Sequence, residues 1–246
     1  MKANYKKVKI IDNVNLVSNI YKISLACDDY IVSGQFYMLK PKRALLGRPI
    51  SICEKRDGVI SFLYAVVGKG TEEFKELKKD EFIEVIGPLG NGFDENKQFG
   101  RVALVAGGIG IAPMLQLSKT IKDNGVSENI DLYAGFRDDI YLIEELKDYV
   151  NEVFLATDKG TYGHKGFVTE IIDYSKYDTV LCCGPEVMMK KVIDGAKANN
   201  VDIYASMEKH MACGVGACLV CTCKTKEGNK RTCKDGPVFN GHDLEL

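Results

Sequence analysis

The sequence has no apolar run fit to cross a bilayer. Its longest mostly apolar stretch, Val102 to Leu115, contains three glycines and a proline and is shorter than the ~20 residues a helical span requires. Nor is there an excess of charge of either sign. Lysine and arginine number 33 against 34 acidic residues, a net charge of -1, which gives a nucleic-acid partner no electrostatic support. Histidine is scarce: His164, His210 and His242 are scattered, with no carboxylate constellation for acid–base catalysis. No base for removing a carbon-bound proton can be named. Met1 to Asp12 mixes lysines with isolated hydrophobes instead of forming an apolar h-region, so no export signal is expected. Nine cysteines, an odd number, then argue against a disulfide framework and for a cytoplasmic protein.

What is present begins with those cysteines. Cys213, Cys218 and Cys221 read C-x4-C-x2-C, and Cys233 follows after eleven residues. Four thiolates at this spacing can hold a [2Fe-2S] cluster. Gly214 and Gly216 supply backbone without Cβ, as a loop wrapped tightly around a metal–sulfide core needs. A structural zinc site is the alternative, but zinc frameworks usually show two short cysteine pairs. Here one cysteine stands alone on each side of the Cys218–Cys221 pair. Cys27, Cys53, Cys182, Cys183 and Cys223 read as small buried hydrophobes.

Six short alternating runs precede Ile86: Val8 to Ile10, Ile20 to Leu25, Phe36 to Leu39, Ile50 to Ile52, Val59 to Val67 and Phe82 to Ile86. They predict an antiparallel barrel or sandwich. One helical signal interrupts them, Thr71 to Lys78, with Thr71 as a cap and Phe74 and Leu77 on one face. Gly47-Arg48-Pro49-Ile50-Ser51 sets a guanidinium, suited to a diphosphate, beside backbone and a hydroxyl that can meet a flat ring. Gly68-Lys69-Gly70-Thr71 puts flexible backbone at a helix start, which attracts phosphate or else is only a capped loop. Together they suggest a bound dinucleotide. Gly87 to Phe93, with three glycines and a proline, marks a boundary.

After Gly100 the pattern changes to strands alternating with helices. The continuous apolar run Val102 to Ala106 predicts a strand covered on both faces. Gly108-x-Gly110 follows, with Pro113 where the dinucleotide fingerprint has its third glycine; the pair lets backbone approach a pyrophosphate, and Pro113 suits a first helical turn. Further units run from Ile130 to Phe136 into Asp139 to Tyr149, from Val153 to Thr157 into Val168 to Ile172, and from Thr179 to Cys183 into Glu186 to Ala198. They predict a doubly wound parallel sheet. Ligands bind such sheets at the carboxyl ends of strands. Gly184-Pro185 lies at one such end and aims Cys183 either at a ligand or into the core. At another, Arg137 could hold a 2'-phosphate, and an acidic residue would select the free ribose hydroxyl; the reading here is NAD.

Arg48-Pro-Ile-Ser51, Gly68-Lys-Gly-Thr71, Gly87 to Phe93, Gly108-x-Gly110-x-x-Pro113, Cys183-Gly-Pro185, the four cysteines and Cys233-Lys-Asp-Gly-Pro-Val-Phe239 together resemble the electron-transfer subunits of class 1B dihydroorotate dehydrogenase, within the ferredoxin reductase superfamily. The resemblance covers the chain in order. It implies a six-stranded antiparallel FAD-binding barrel (1–98), a doubly wound NAD-binding domain (99–205) and a small iron–sulfur domain (206–246). It places Arg48, Pro49, Ile50 and Ser51 at the flavin, Leu63, Tyr64 and Ala65 along its edge, and Gly70 and Thr71 at its pyrophosphate. Gly108, Gly110, Pro113 and Gly184 would hold NAD, and Ser51 and Cys183 would flank the hydride-transfer centre. Relatives often carry arginine where this chain has Ala65, which removes one charge-assisted bond to FAD.

The implied role is electron transfer between NAD and an FMN-containing catalytic subunit in pyrimidine biosynthesis, as an assembly of two of each chain. FAD would convert two-electron to one-electron transfer for a [2Fe-2S] cluster. Met211, Ala212, Val215 and Leu219 are expected to begin the partner surface. Two rival readings are the small subunit of a ferredoxin-dependent NADP reductase or sulfide dehydrogenase complex, and a non-catalytic zinc-binding module.

Overall fold

The computed structural model describes residues 4–246. Six strands close into an antiparallel barrel: β1 (Asn4–Val17), β2 (Ile20–Ala26), β3 (Phe36–Lys40), β4 (Arg48–Arg56), β5 (Val59–Ala65) and β6 (Phe82–Leu89), in the order β1-β2-β5-β4-β3-β6. Alternation explains the closure, because Ile23 and Leu25 of β2, Tyr37 and Leu39 of β3, and Phe62 and Tyr64 of β5 all enter one core. That core is aromatic, with Tyr37 edge-on to Phe62 and Tyr64 edge-on to Phe74 at centroid separations of 5.5 and 5.8 Å.

Helix α1 (Lys69–Lys75) adds Phe74 to this core. It starts two residues before the expected Thr71. Gly68 is the cap position, and Thr71 sits one turn in, where its Oγ1 accepts the Val67 and Gly68 backbone N–H groups at 3.0 and 3.3 Å. Thr71 therefore caps from inside the helix, in the reciprocal position of a capping box.

The second half is a seven-stranded sheet built on β7 (Gly100–Gly107), β8 (Ser127–Phe136), β9 (Glu152–Thr157), β10 (His164–Lys165), β11 (Thr179–Cys183) and β12 (Asp202–Ser206). Strands β10-β9-β8-β7-β11-β12 are parallel and in that order. The apolar run in β7 has the predicted cause: Val102, Leu104 and Ala106 pack on one side of the sheet, Ala103 and Val105 on the other. Helix α2 (Ala112–Asn124) covers the first side and α4 (Glu186–Ala198) the second. Ile20, Cys53 and Leu63 of the barrel join the α2 core, so barrel and sheet share apolar packing.

Two expected helices are shorter than read. Asp139 to Tyr149 contributes only α3 (Ile143–Lys147), which begins after Leu142 in the left-handed region at φ 61°. Val168 to Ile172 yields a single 3-10 turn, Val168–Glu170; three of its five residues are valine or isoleucine, whose stiff χ1 disfavours a free-standing helix. The C-terminal stretch forms a hairpin of β13 (Thr222–Thr225) and β14 (Gly228–Arg231), then β15 (Val238–Asn240). Strand β15 pairs antiparallel with β12, so the cysteine-bearing segment is laced to the edge of the large sheet.

Candidate functional site

The cysteine loop lies against the barrel. Cys221 and Cys233 pack with Phe36, Met38 and Leu89 in a small apolar cluster of their own. Backbone amides aim at sulfur as the glycines foretold. Val215 and Ala217 donate to Cys213 Sγ at 3.4 and 3.3 Å, Gly216 donates to Cys233 Sγ at 3.1 Å, and Cys233 donates to Cys221 Sγ at 3.4 Å. Gly214 and Gly216 sit at φ 70° and 82°, conformations that favour glycine. Arg231 buttresses the loop from below, donating to the Gly216 carbonyl at 3.2 Å while its guanidinium is held by Asp235.

The thiol of Cys218 lies within reach of Cys213 and that of Cys221 within reach of Cys233, and Cys213 is also close enough to bear on Cys233. Burial opposes ionisation of Cys213, but the amides of Val215, Cys218 and Ala217 outweigh it and bring its pKa down to about 6. Burial and the adjacent Cys221 push Cys233 up to about 12. A tetrahedral zinc needs all four sulfurs around one point, whereas a binuclear cluster takes two thiolates on each iron. Two thiol pairs cradled by sulfur-directed amides fit the cluster.

On the sheet, a cavity of about 320 Å³ opens at the carboxyl ends of β7, β8, β9 and β11, lined among others by Gly108, Arg137, Asp158, Phe167 and Lys191. The two glycines of the turn do different work. Gly108, at φ 53°, faces open space, where a ligand can approach its backbone. A Cβ on Gly110 would instead collide with the Cys183 carbonyl oxygen, so Gly110 serves the packing of the turn on β11. Pro113 is buried in the first turn of α2. Gly184, at φ 152°, brings β11 close to Gly107, where a Cβ would stand 2.8 Å from the Gly107 nitrogen. Asp138 is engaged by Lys159 at 2.9 Å, leaving Arg137, Asp158 and Lys191 as the charged residues that line the cavity.

On the barrel, Arg48 and Gly70 come together as expected: a Cβ on Gly70 would stand 2.5 Å from the Arg48 guanidinium carbon. Arg48 Nη1 also donates to the Leu46 carbonyl at 2.6 Å. Pro49, Ile50 and Ser51 pair with Met38, Tyr37 and Phe36 of β3. Leu63 and Ala65 share the face of β5 that turns to α2. Tyr64 points the other way, into the barrel, where its hydroxyl donates to Asn13 at 3.0 Å, so only its backbone is left for a flavin. Thr71 Oγ1 is committed to the Gly68 turn.

Cys183 is fully buried, and burial, followed by the nearby charge of Glu208, raises its pKa well above the usual thiol value. Glu208 went unnoticed in the sequence. Neighbouring atoms strip hydration from its carboxyl and raise its pKa, although the residue as a whole is exposed. It lies two residues beyond β12, at a strand end like those already read. The signal was available, but the alternation of Asp202 to Ser206 is too short to mark a strand without its neighbours.

A closed barrel, a doubly wound sheet with an open glycine turn, and a four-thiol loop define an NAD-linked iron–sulfur reductase of the ferredoxin-reductase fold. The family model for the iron-sulfur cluster binding domain of dihydroorotate dehydrogenase B matches residues 208–245, and that for the oxidoreductase NAD-binding domain matches residues 104–194. The chain is 58% identical over 246 residues to the dihydroorotate dehydrogenase B (NAD(+)) electron transfer subunit of Clostridium perfringens, covering 100% of both chains. It is 49% identical over 248 residues to that of Clostridium acetobutylicum, covering 100% of this chain and 99% of that one. The chain belongs to the family of dihydroorotate dehydrogenase B (NAD(+)) electron transfer subunits. A solved NADH-dependent reduced ferredoxin-NADP oxidoreductase has the same fold, with TM-score 0.89 and 28% identity over 97% of this chain and 89% of that one.

Proposed function

We propose that this chain passes electrons between NAD(H) and an FMN-containing dihydroorotate dehydrogenase catalytic subunit, through FAD on the barrel and a [2Fe-2S] cluster on the cysteine loop. The reading places it in pyrimidine biosynthesis in the cytoplasm, assembled as two of each chain. The observation that carries it is the packing of the cysteine loop on β3, the strand hydrogen-bonded to Arg48–Ser51. The strand proposed to hold the flavin, β4, and the strand that packs on the cysteine loop, β3, are therefore hydrogen-bonded neighbours in the barrel. The working divisions are 1–98 for FAD, 99–205 for NAD and 206–246 for the cluster.

Bound FAD supplies the exchange between hydride transfer and single-electron transfer. The residues of the chain bind and orient. Arg48 and the Gly70 backbone hold the flavin diphosphate, with Ser51 and the β5 edge at Leu63, Tyr64 and Ala65 facing its ring. Gly108 receives the NAD pyrophosphate at the start of α2, and Pro113 and Gly184 shape that turn. Cys183 at the end of β11 and Glu208 beyond β12 flank the place where nicotinamide would meet flavin; burial keeps the thiol protonated, so it packs without contributing charge. Cys213, Cys218, Cys221 and Cys233 ligate the irons.

The test is anaerobic co-purification. An FMN protein that reduces orotate with NADH only when this chain is present supports the reading. A second reading follows from the likeness to the NADH-dependent reduced ferredoxin-NADP oxidoreductase: a partner bearing several four-iron clusters would favour that complex and overturn the first. Colourless protein with zinc and no acid-labile sulfide would overturn both.

A further inference from the structure

Strand β3 serves two cores at once. Tyr37 and Leu39 point into the barrel, while Phe36 and Met38 point out of it onto Cys221 and Cys233. Met38 reaches furthest. A Cβ on Gly214, the residue after Cys213, would stand 2.6 Å from Met38 Cγ and 3.1 Å from its Sδ. A Cβ on Gly47, the residue before Arg48, would stand 3.1 Å from Met38 Cε. One side chain thus fills the space between the flavin loop and the cluster loop, and its backbone is in register with Pro49.

We propose that Met38 is the positioning residue for the step between flavin and cluster, an inference that rests on the electron route given above. The loop from Cys213 to Ala217 has no ladder of its own; its amides donate to sulfur. Its distance from the barrel is therefore set by side-chain packing, and Met38 is the side chain nearest to it at Gly214, with Leu89 Cδ1 beside it. A thioether is suited to the irregular gap left by two glycines. The step itself balances: NADH gives a hydride, which carries two electrons. Each passage from flavin to cluster would move one of them, taking one ferric iron to ferrous until the partner reoxidises it, so two passages would deliver the two electrons of one hydride to the partner while its proton leaves the flavin for solvent.

The experiment uses the anaerobically purified chain in complex with its catalytic partner, as Met38→Ala and Met38→Leu. Rapid mixing with NADH separates flavin bleaching from the later cluster reduction. In Met38→Ala, flavin bleaching stays within about twofold of wild type while cluster reduction slows by about tenfold or more. Iron and sulfide content is unchanged, and hydrogen exchange at the amides of 214–217 accelerates. Met38→Leu, which refills most of the gap, restores both the rate and the protection. Cluster reduction at the wild-type rate in Met38→Ala, or a Met38→Leu chain as slow as Met38→Ala, overturns the proposal. Wild-type protein without acid-labile sulfide would instead overturn the reading on which it rests.

Discussion

Gln116 Oε1 accepts the backbone N–H of Lys55 at 2.7 Å, joining α2 of the sheet to β4 of the barrel. Lys55 lies past Ser51, the last residue of β4 paired with β3. The other end of Gln116 donates to Thr120 Oγ1 at 3.1 Å, which accepts Ser33 Oγ–H at 3.0 Å. An ion pair between Lys119 and Glu54, 3.6 Å long, lies alongside. Helix α2 therefore carries the Gly108 turn at its start and grips the barrel along its length. Gln116→Leu leaves the Lys55 N–H unpaired, at a cost of about 1–3 kcal/mol, and loosens the approach of nicotinamide to flavin. The expected result is a lower kcat for NADH oxidation by an artificial acceptor, with KM and FAD content little changed; Gln116→Glu, which keeps the acceptor oxygen, recovers most of it.

Cys218→Ser separates the two halves of the electron route. Cys218 is the exposed member of its thiol pair, so the substitution removes a ligand without opening the core. Cluster colour and acid-labile sulfide should disappear, while NADH oxidation by an acceptor that takes electrons at the flavin persists. Loss of that activity in a folded protein would show that the order of carriers is wrong.

On the proposed reading the Arg48–Gly70 contact concentrates flavin binding in one guanidinium, since Ala65 supplies no second one. Loss of a charge-assisted bond is worth about 1.5–3 kcal/mol, so Arg48→Ala should weaken FAD about 10- to 100-fold. Equilibrium dialysis or ultrafiltration of released flavin measures it, and unchanged occupancy on dilution counts against the role.

How much of this was legible depended on whether the signal was local. The barrel strands and β7 announce themselves by alternation and by a run buried on both faces, and the cysteine spacing needs no tertiary context. Three features do not. Strand β15, three residues long, is a strand only because β12 offers it an edge. Gly110 looks like a ligand glycine in sequence and is a packing glycine because β11, seventy residues on, lies against it. Glu208 acquires its raised pKa from desolvation by the packing around it, which the local sequence does not show. The site residues that could be named were those whose chemistry is carried by neighbours in sequence.

Asp29 supplies a pH dependence. Burial raises its pKa, but hydrogen bonds from Lys6, Tyr37 and Cys27 outweigh burial and leave it below the usual carboxylate value. A depressed folded pKa means stabilisation that is present above the unfolded pKa of about 3.9 and lost as pH falls through the folded value. Asp29→Asn should therefore cost about 1–2 kcal/mol at pH 7 and nothing once both proteins are below the folded pKa. Urea midpoints measured at neutral pH and on the acid limb check this; a constant difference between variant and wild type at all pH values would mean that the charge is not what matters.

Gly108 and Gly110 make the sharpest contrast, because two residues of one turn should fail in different ways. At Gly108 a Cβ meets nothing within 4 Å, but the backbone stands at φ 53° and the open space is where NAD's pyrophosphate is expected. Gly108→Ala should fold with a loss of about 1 kcal/mol for the left-handed conformation and raise KM for NADH as the methyl occupies ligand space. At Gly110 the methyl would strike the Cys183 carbonyl and the Gly184 Cα, both backbone atoms of β11 and its turn that cannot rotate away. Gly110→Ala should lower the melting temperature more than Gly108→Ala does. The iron content of whatever remains folded should be unchanged, because the atoms struck belong to β11 and its turn, not to the cysteine loop. Thermal melts and NADH titrations on the two variants decide it: equal melting temperatures, or an unaltered KM in Gly108→Ala, would show that the two glycines do not divide packing and ligand approach between them.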